Sequence, residues 1–277
     1  MANHPKMRFP GGRDRALTFS YDDGVIQDMR LVEILNKHGM KGTFNLNSGL
    51  YKPEDEKSSN RRMTESQVTA LFADSPHEVA CHSYTHPSLA EMPIGCAAYE
   101  MIKDRETLEA QFGKIVRGMA YPYGTVNDEV VDMLKACGIV YGRTVVSTEK
   151  FNLPTDWLRM PATCHHKNPR LMELAEQFVD MKVKLEPKLF YLWGHTYEFD
   201  DNDNWNVIEK FTEFMSGREE QIWYATNMEI YEYIHDYEQL IWSVNGSMVT
   251  NPTNRTLWFV MNGVTYSIAP GETLRLF

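Results

Sequence analysis

The chain has 277 residues, of which 43% are hydrophobic and 24% are charged. Both fractions are close to the average for globular proteins, so the chain can bury a sizeable core and wholesale disorder is excluded. The 28 basic and 38 acidic residues leave a formal net charge of −10. We therefore do not expect nucleic acid or an anionic membrane surface as a partner, because binding to phosphate groups needs clustered Lys and Arg.

The first ten residues, MANHPKMRFP, lack the apolar core that a signal peptide carries. No window of the sequence approaches the roughly 18 apolar residues that a membrane span needs. We therefore expect a cytoplasmic protein. The four cysteines form no C-x-x-C pair and are expected to be reduced and mostly buried; they are Cys81, Cys96, Cys137 and Cys164.

Strand and helix patterns alternate along most of the chain. The predicted strands are 15–21, 42–46, 78–82, 118–121, 140–146, 157–160, 189–193 and 221–224. The predicted helices are 25–38, 64–72, 94–112, 128–136, 169–183, 204–215 and 227–240. Thr64 and Gln67 have the spacing of a capping box, and Asn127 is placed to cap the helix after it. About eight strands, each mostly followed by a helix, predict an α/β fold with a mainly parallel sheet, either closed as a barrel or open and doubly wound.

The last part of the chain differs from the rest. From about Ser243 the sequence is β-rich and is interrupted by the turn signals Asn245-Gly246, Asn262-Gly263 and Pro270-Gly271. We predict a barrel or sheet domain over residues 1–242 and a small β-rich extension, 243–277, that packs on it. A sugar-binding role for the extension is the alternative, with Trp258 and Tyr266 as stacking surfaces.

Two carboxylates stand side by side where the first predicted strand ends, in the segment TFSYDDG. Neighbouring side chains of a regular strand point to opposite faces, so Asp22 and Asp23 can share a site only if the strand breaks there. Gly24 permits such a break, because glycine accepts backbone angles that other residues resist. The structural alternative is a polar turn in which one aspartate caps the next helix.

Two histidines four residues apart, His82 and His86, follow the predicted strand 78–82. This spacing puts both on one face of a helical turn, with Cβ atoms roughly 5–6 Å apart, so both imidazoles can bind one metal ion. The H-x-x-x-H pattern is common by itself, but a carboxylate at another strand end would complete a three-ligand site. Three protein ligands with one open position are typical of catalytic zinc.

Two further strand ends carry candidate groups. Tyr123 lies in the segment AYPYG, where a Pro-Tyr-Gly turn can aim a backbone N–H at a reaction centre or offer a ring to a sugar. His195 follows the strand 189–193, and its ordinary pKa of about 6.5 suits a general acid. An ordinary turn and a structural histidine are the alternatives.

Together these segments resemble the polysaccharide deacetylases of the NodB-homology type, carbohydrate esterase family four. The ordered motifs of that family appear here as TFSYDDG, HSYTH, AYPYG, TDWLRMP and LFYLWGH. The resemblance covers about residues 15–225. It implies a distorted (β/α) barrel of about seven or eight strands that holds one divalent metal ion, commonly zinc.

The resemblance also implies roles for individual residues. Asp23, His82 and His86 would hold the metal ion. Asp22 would be the general base, and His195 would be the general acid.

The chain departs from the family pattern at two points. Ser20-Tyr21 is inserted in the first motif, and the arginine of the third motif, which orients the base carboxylate in the family, is Ala120 here. Arg159, in the fourth motif, is the candidate to replace it. The third motif still implies that the backbone N–H of Tyr123 helps to stabilise the oxyanion.

Other side chains are candidates for the surroundings of the site. Trp157 would line the pocket and Asp156 would tune the general acid, or both would simply pack the barrel. Trp193 would contribute to a sugar-stacking rim, with a place in the core as the alternative. We expect His165 and His166 in a polar loop, with a position at the mouth of the site as the alternative.

The sequence thus predicts a metal-dependent hydrolase that removes N-acetyl, or O-acetyl, groups from a saccharide, with a soluble oligosaccharide as a plausible substrate. One alternative is a non-catalytic carbohydrate-binding protein on the same scaffold, suggested by the missing arginine and the β-rich extension. Another is a hydrolase of non-sugar C–N bonds. Zn²⁺ is the expected metal, although other divalent ions suit the same ligands, and the oligomeric state is open.

Overall fold

The computed structural model describes residues 4–56 and 60–277. Its helices are α1 (Asp28–Lys37), α2 (Glu65–Phe72), α3 (Ile94–Phe112), α4 (Asp128–Ala136), α5 (Leu171–Asp180), α6 (Tyr197–Asp201), α7 (Asn206–Met215) and α8 (Asn227–Glu238). Its strands are β1 (Lys6–Arg8), β2 (Arg15–Asp22), β3 (Thr43–Leu46), β4 (Glu78–Cys81), β5 (Gly118–Ala120), β6 (Tyr141–Ser147), β7 (Met160–Ala162), β8 (Cys164–His165), β9 (Lys188–Gly194), β10 (Ile222–Tyr224), β11 (Ile241–Trp242), β12 (Met248–Thr250), β13 (Leu257–Met261), β14 (Val264–Ile268) and β15 (Thr273–Arg275).

Nine strands form one sheet, in which eight follow the order β7-β6-β5-β4-β3-β2-β9-β8 and β10 pairs with β2. All pairs in this sheet are parallel. One contact shows that the sheet is curled. The guanidinium of Arg143 on β6 touches the carboxylate of Asp22 on β2, although β2 is the fourth strand from β6 in the sheet order. At a spacing of about 4.8 Å per strand the two would lie roughly 19 Å apart in a flat sheet. The fold is therefore an α/β distorted barrel.

One continuous stretch of chain completes the circumference of this barrel. β7 pairs with β6, and β8 pairs with β9. Between them, Thr163 donates its backbone N–H to the carbonyl of Tyr191 at 2.9 Å, and its own carbonyl accepts the N–H of Glu149 at 2.8 Å. The segment 160–165 thus pairs first with β6 and then with β9, and the change of partner strand occurs at Thr163.

The predicted strands and helices up to residue 240 are confirmed to within a few residues, with one exception. The strand predicted at 157–160 is wrong, because Trp157–Arg159 forms a 3₁₀ turn and the strand starts at Met160. Asp156 accepts the backbone N–H of Leu158 at 3.0 Å, and such a local side-chain bond favours a turn over a strand. The short elements β1, β8 and α6 were not predicted.

The predicted helix caps are confirmed. Thr64 and Gln67 form a reciprocal capping box at α2, with distances of 3.2 Å and 2.9 Å. Asn127 accepts the N–H of Val130 at 2.9 Å and so caps α4. These bonds satisfy N–H groups that the first turn of a helix leaves without a partner.

The main core lies between the sheet and the helices around it. It combines strand residues such as Phe19 and Phe44 with helix residues such as Leu31, Phe178 and Phe211. In the described part of the chain, no helix is both long and apolar enough to cross a membrane.

The carboxyl-terminal strands form two further sheets, β1-β13-β14 and β11-β12-β15. These sheets recruit β1 and β11, which lie before residue 243. Leu257 and Phe259 belong to the same buried cluster as Tyr191 and Trp193 of β9, so the extension shares a core with the barrel.

Candidate active site

The candidate site lies at the carboxyl ends of the parallel strands, where the catalytic groups of barrel enzymes are found. Asp22 ends β2, His82 follows β4, Tyr123 follows β5 and His195 follows β9. The barrel brings all four chain segments to the same edge. The pairing of β3 with β4 extends one residue into the site, because the backbone N–H of His82 donates to the Leu46 carbonyl at 2.8 Å.

Asp23, His82 and His86 converge as the donors of a metal site. Their ligand atoms all lie within 4.8 Å of one another. The Nε2 atoms of the two histidines are 3.2 Å apart, and Asp23 Oδ1 is 3.8 Å from His86 Nε2. Tetrahedral ligands at zinc distances would lie about 3.3 Å apart, so this donor set fits one divalent ion.

The protonation of His82 suits metal ligation. Its Nδ1 is 2.8 Å from the carbonyl of Ala120, so the ring proton is assigned to Nδ1 and the lone pair of Nε2 faces the other ligands. Burial lowers the pKa of His82. Burial, together with the neighbouring His82 ring, lowers the pKa of His86 to about 4. Both imidazoles are therefore neutral near pH 7, as a metal ligand must be.

The backbone at this site is held in unusual conformations. Asp23, Ser83, His86 and Tyr123 have φ values of 88°, 58°, 59° and 57°, in the left-handed region that non-glycine residues rarely adopt. Gly24, at φ 62°, follows directly, so β2 breaks where the sequence predicts. Strained residues of this kind cluster at functional sites and persist only where the surrounding structure holds them.

Asp22 is deeply buried, with 2% of its surface exposed. Arg143, which is fully buried, donates to both of its carboxylate oxygens, and Asn45 donates to Oδ1 at 2.8 Å. Burial alone raises the pKa of Asp22, but the charges of Arg143, His82 and His195 outweigh it and lower the pKa to about 2. Asp22 is therefore an ionised carboxylate held in one orientation.

The arginine that orients Asp22 was predicted incorrectly. Arg159 pairs with Asp128 and, at 3.1 Å, with Asp156 on the surface, because the 3₁₀ turn directs it outward. The partner of Asp22 is instead Arg143, from β6.

His195 lies between two carboxylates. Its Nε2 is 3.8 Å from Asp22 Oδ2, and its Nδ1 is 3.7 Å from Glu198 Oε2. Burial lowers the pKa of His195, but Glu198 and Asp22 outweigh burial and raise the pKa above its ordinary value. The acidic residue beside His195 is thus Glu198, whereas Asp156, the predicted one, caps the 3₁₀ turn.

The aromatic candidates divide between the site and the core. Trp193 lies against the Arg143 guanidinium, 4.4 Å from its ring centroid, and so supports the pair with Asp22. The Tyr123 side chain is 68% exposed and meets the His86 ring edge-on at 4.6 Å. Trp157 packs against Tyr231 of α8 at 5.1 Å, so it does not belong with the residues around Asp22.

Arg62 is a further site residue that sequence reasoning missed. It donates to Asp23 Oδ1 at 3.1 Å and to Asn47 Oδ1 at 2.8 Å. A cleft of about 340 Å³ opens here, and Arg61, Arg62 and Tyr197 are among its walls together with Asp23. The cleft therefore borders the ligand cluster through Asp23.

Two of the missed residues carried a sequence signal. Arg143 is a charged residue inside the otherwise uncharged strand segment YGRTVVS, which indicates a buried partner. Glu198 lies three residues after His195, a spacing that brings two side chains together if a helical turn follows the strand. Arg62 offered no such signal, because it lies in a polar loop.

Comparisons with known proteins agree with this architecture. Residues 10–142 match the family model of the polysaccharide deacetylases. A stretch of 104 residues is 27% identical to the uncharacterized protein YlxY of Bacillus subtilis, and this match covers 38% of the chain but only 29% of that protein.

Two solved structures share the fold. A polysaccharide deacetylase candidate from Mycobacterium smegmatis aligns with a TM-score of 0.59 at 15% identity, covering 86% of this chain and 96% of that one. The Xyl-CE4 domain of a multidomain xylanase, from the hindgut metagenome of Trinervitermes trinervoides, aligns with a TM-score of 0.53 at 17% identity, covering 80% and 92%. The family model thus matches the part of the chain that carries Asp22, Asp23, His82, His86 and Tyr123, and the two solved structures share the barrel fold.

Proposed function

We propose that this protein is a metal-dependent hydrolase that removes N-acetyl, or O-acetyl, groups from a saccharide. The observation that carries the proposal is the position of Asp22. Its Oδ2 lies 3.9 Å from Nε2 of the ligand His82 and 3.8 Å from Nε2 of His195. A base that neighbours both a metal centre and an acid is what hydrolysis of an amide requires.

Asp23, His82 and His86 are the proposed ligands. Zn²⁺ is the ion we expect, although two imidazoles and a carboxylate also suit other divalent ions. When bound, such an ion polarises a carbonyl oxygen and makes water acidic enough to attack near neutral pH. Arg62 would fix the Asp23 carboxylate from the side of the cleft.

Asp22 and His195 are the proposed acid–base pair. Asp22, kept ionised by Arg143, would accept a proton from the attacking water. As the C–N bond breaks, His195 would donate its proton from Nε2 to the leaving amine. The raised pKa of His195 favours the protonated form that this step consumes.

Tyr123 is the proposed oxyanion donor through its backbone N–H. Its left-handed conformation belongs to the turn Pro122–Gly124, which β5 delivers beside His86. A backbone donor fixed in advance needs no reorganisation when negative charge builds on the carbonyl oxygen. The exposed ring of the same residue would be free to contact the sugar.

Acetate release tests the proposal. Metal-free protein, prepared with a chelator, should release no acetate from an N-acetylated amino-sugar oligosaccharide, and one equivalent of Zn²⁺ should restore release. Asp22→Asn should retain one bound metal ion but lose turnover by a factor of about 10² or more. Full activity after complete metal removal, or loss of the metal ion from Asp22→Asn, would contradict the proposed roles.

A further inference from the structure

A second group of metal-binding side chains lies behind His195. His165 ends β8, His166 follows it and Glu198 lies in α6. Glu198 Oε2 is 3.1 Å from Nε2 of each of these histidines and 3.7 Å from Nδ1 of His195. Three imidazoles therefore surround one carboxylate oxygen.

The geometry of this group is that of ligands around an ion. The ligand atoms of His165, His195 and Glu198 lie within 4.8 Å of one another. The separations of 3.1 and 3.7 Å bracket the edge of about 3.3 Å expected for tetrahedral zinc. The Asp23 cluster has distances in the same range, with 3.2 Å between the two imidazole nitrogens and 3.8 Å between His86 Nε2 and Asp23 Oδ1.

The buried polar atoms of this group are a second observation. Among the described residues, Glu198 Oε2, His195 Nδ1 and both ring nitrogens of His166 are buried without an aligned hydrogen-bond partner. His166 is only 1% exposed. Buried polar atoms of this kind call for a missing partner, because leaving them unpaired is costly. Oε2 thus has three imidazole nitrogens within 3.7 Å and no aligned hydrogen bond from a described residue, an arrangement that ligands of one cation also show.

We infer that Glu198, His165 and His195 form a second site for a divalent transition-metal ion, with His195 binding through Nδ1. Imidazole and carboxylate ligands suit Zn²⁺ and Co²⁺. Lys167 occupies the other carboxylate oxygen, Oε1, at 2.8 Å and leaves Oε2 for the ion.

This second site binds more weakly than the first. His165 Nδ1 accepts the backbone N–H of Lys167 at 3.1 Å, so the ring proton is assigned to Nε2. Before Nε2 can bind an ion, this proton must move to Nδ1, and the hydrogen bond from Lys167 is then lost. In the first site the Nδ1 proton of His82 is already bonded to the Ala120 carbonyl. The positive charge of Lys167 also opposes a cation on Glu198.

Occupancy of the second site has a consequence for catalysis, and this part rests on the proposed function. An ion on Nδ1 prevents His195 from carrying protons on both ring nitrogens. The general acid is then lost, so a second equivalent of metal inhibits the enzyme that the first equivalent activates.

Titration of the metal-free protein with Co²⁺ tests the site without an assay of turnover. Visible absorbance and metal analysis after equilibrium dialysis should show two equivalents, the second at least tenfold weaker. Glu198→Gln and His165→Asn should each lose only the weaker equivalent, and Asp23→Asn should lose the tighter one. Lys167→Met is the matched control, which should keep both and bind the second more tightly. Thermal unfolding confirms that each variant is folded.

The outcomes separate this inference from the proposed function. A single equivalent in the wild-type protein, or a second equivalent that survives in both Glu198→Gln and His165→Asn, would overturn the second site. Two equivalents without any acetate release would leave the second site standing and remove the proposed hydrolase activity. Where activity is present, the ratio of rates at two and one equivalents should fall below one in the wild type and return towards one in His165→Asn.

Discussion

The guanidinium of Arg143 donates to both carboxylate oxygens of Asp22 across 121 positions of sequence. Both side chains are buried, and the contact spans the interior of the barrel from β6 to β2. The arginine thus reaches the proposed base from the strand that follows the third motif. The third motif, which has Ala120 in place of arginine, does not supply the cation beside Asp22; β6 does.

Replacing Arg143 with Met should damage both folding and turnover. Removing one partner of a buried ion pair costs about 3–5 kcal/mol, because the other charge stays buried and uncompensated. We expect a loss of this order in the free energy of unfolding, measured by urea titration at pH 7. The rate of acetate release by the variant, compared per folded molecule, should also fall, by a factor of about 10² or more.

The same variant should change the pH dependence of stability. In the wild type the pKa of Asp22 is about 2, below its unfolded value of about 3.9, so its contribution is full above pH 4 and is lost as pH falls towards 2. Without Arg143, burial dominates and raises the pKa, so the carboxylate destabilises the fold as pH rises. Arg159→Met, a surface control, should shift stability by less than about 1 kcal/mol. Equal effects of the two substitutions would contradict the assignment of Arg143.

His195→Ala should slow the hydrolysis of an acetamide more than that of an activated acetate ester. An amine must be protonated before it leaves, whereas a phenolate-type leaving group needs little protonation. We expect a loss of 10²–10⁴-fold for the amide and much less for the ester, measured as kcat/KM with one metal equivalent bound. Equal losses on both substrates would argue against a role as general acid.

Gly194→Ala should be strongly destabilising. A Cβ atom at this position would lie 2.1 Å from Nδ1 of the buried His166 ring, so ring and strand must both shift. Overpacking of this kind costs about 1–3 kcal/mol. Gly95→Ala, in α3, is the matched control, because no atom lies within 4 Å of its Cβ; it should be neutral or stabilising by up to about 1 kcal/mol. If calorimetry gave similar melting temperatures for the two variants, the His166 ring would be able to move aside without cost.

The contribution of Asp28 to stability should fall as pH rises from about 4 to 8. Burial of Asp28 raises its pKa to about 8, although Thr196 and the N–H of Val25 donate to it at 2.6 and 3.1 Å. The folded state then binds more protons than the unfolded state in this range, so this group lowers the free energy of unfolding by up to about 1.4 kcal/mol per pH unit. Asp28→Asn should remove that slope, as measured by urea unfolding at several pH values. An unchanged slope would show that Asp28 is ionised throughout.

Much of the fold was predictable because local signals agree with it. The helix over 94–112 and the capping box of Thr64 and Gln67 follow from neighbouring residues, and both are found as predicted. The strand ends that carry Asp22 and His82 were equally clear, since polar residues follow short β-prone runs. The convergence of Asp23, His82 and His86 also follows from parallel strands ending at one edge.

The missed partner of Asp22 depends on the curl of the sheet. Arg143 reaches Asp22 only because β6 and β2 face each other across the barrel, and no local pattern reports that distance. The expectation of a polar loop at His165 and His166 was wrong for a similar reason: a two-residue strand buries His166 between Tyr21 and Phe199. Short strands of this kind carry too few residues to show an alternation of polar and apolar side chains.

At Thr163 the chain stops pairing with β6 and starts pairing with β9, and His165 and His166 follow directly. A movement of this barrel-closing segment would therefore also move the two histidines. A brief separation of this segment from its partner strands would pull His165 and His166 away from Glu198 and so release His195 on one side. Amide hydrogen exchange at Thr163, whose N–H donates to the carbonyl of Tyr191, would therefore report on how well the surroundings of His195 are ordered. The segment that closes the barrel thus also positions the histidines beside Glu198.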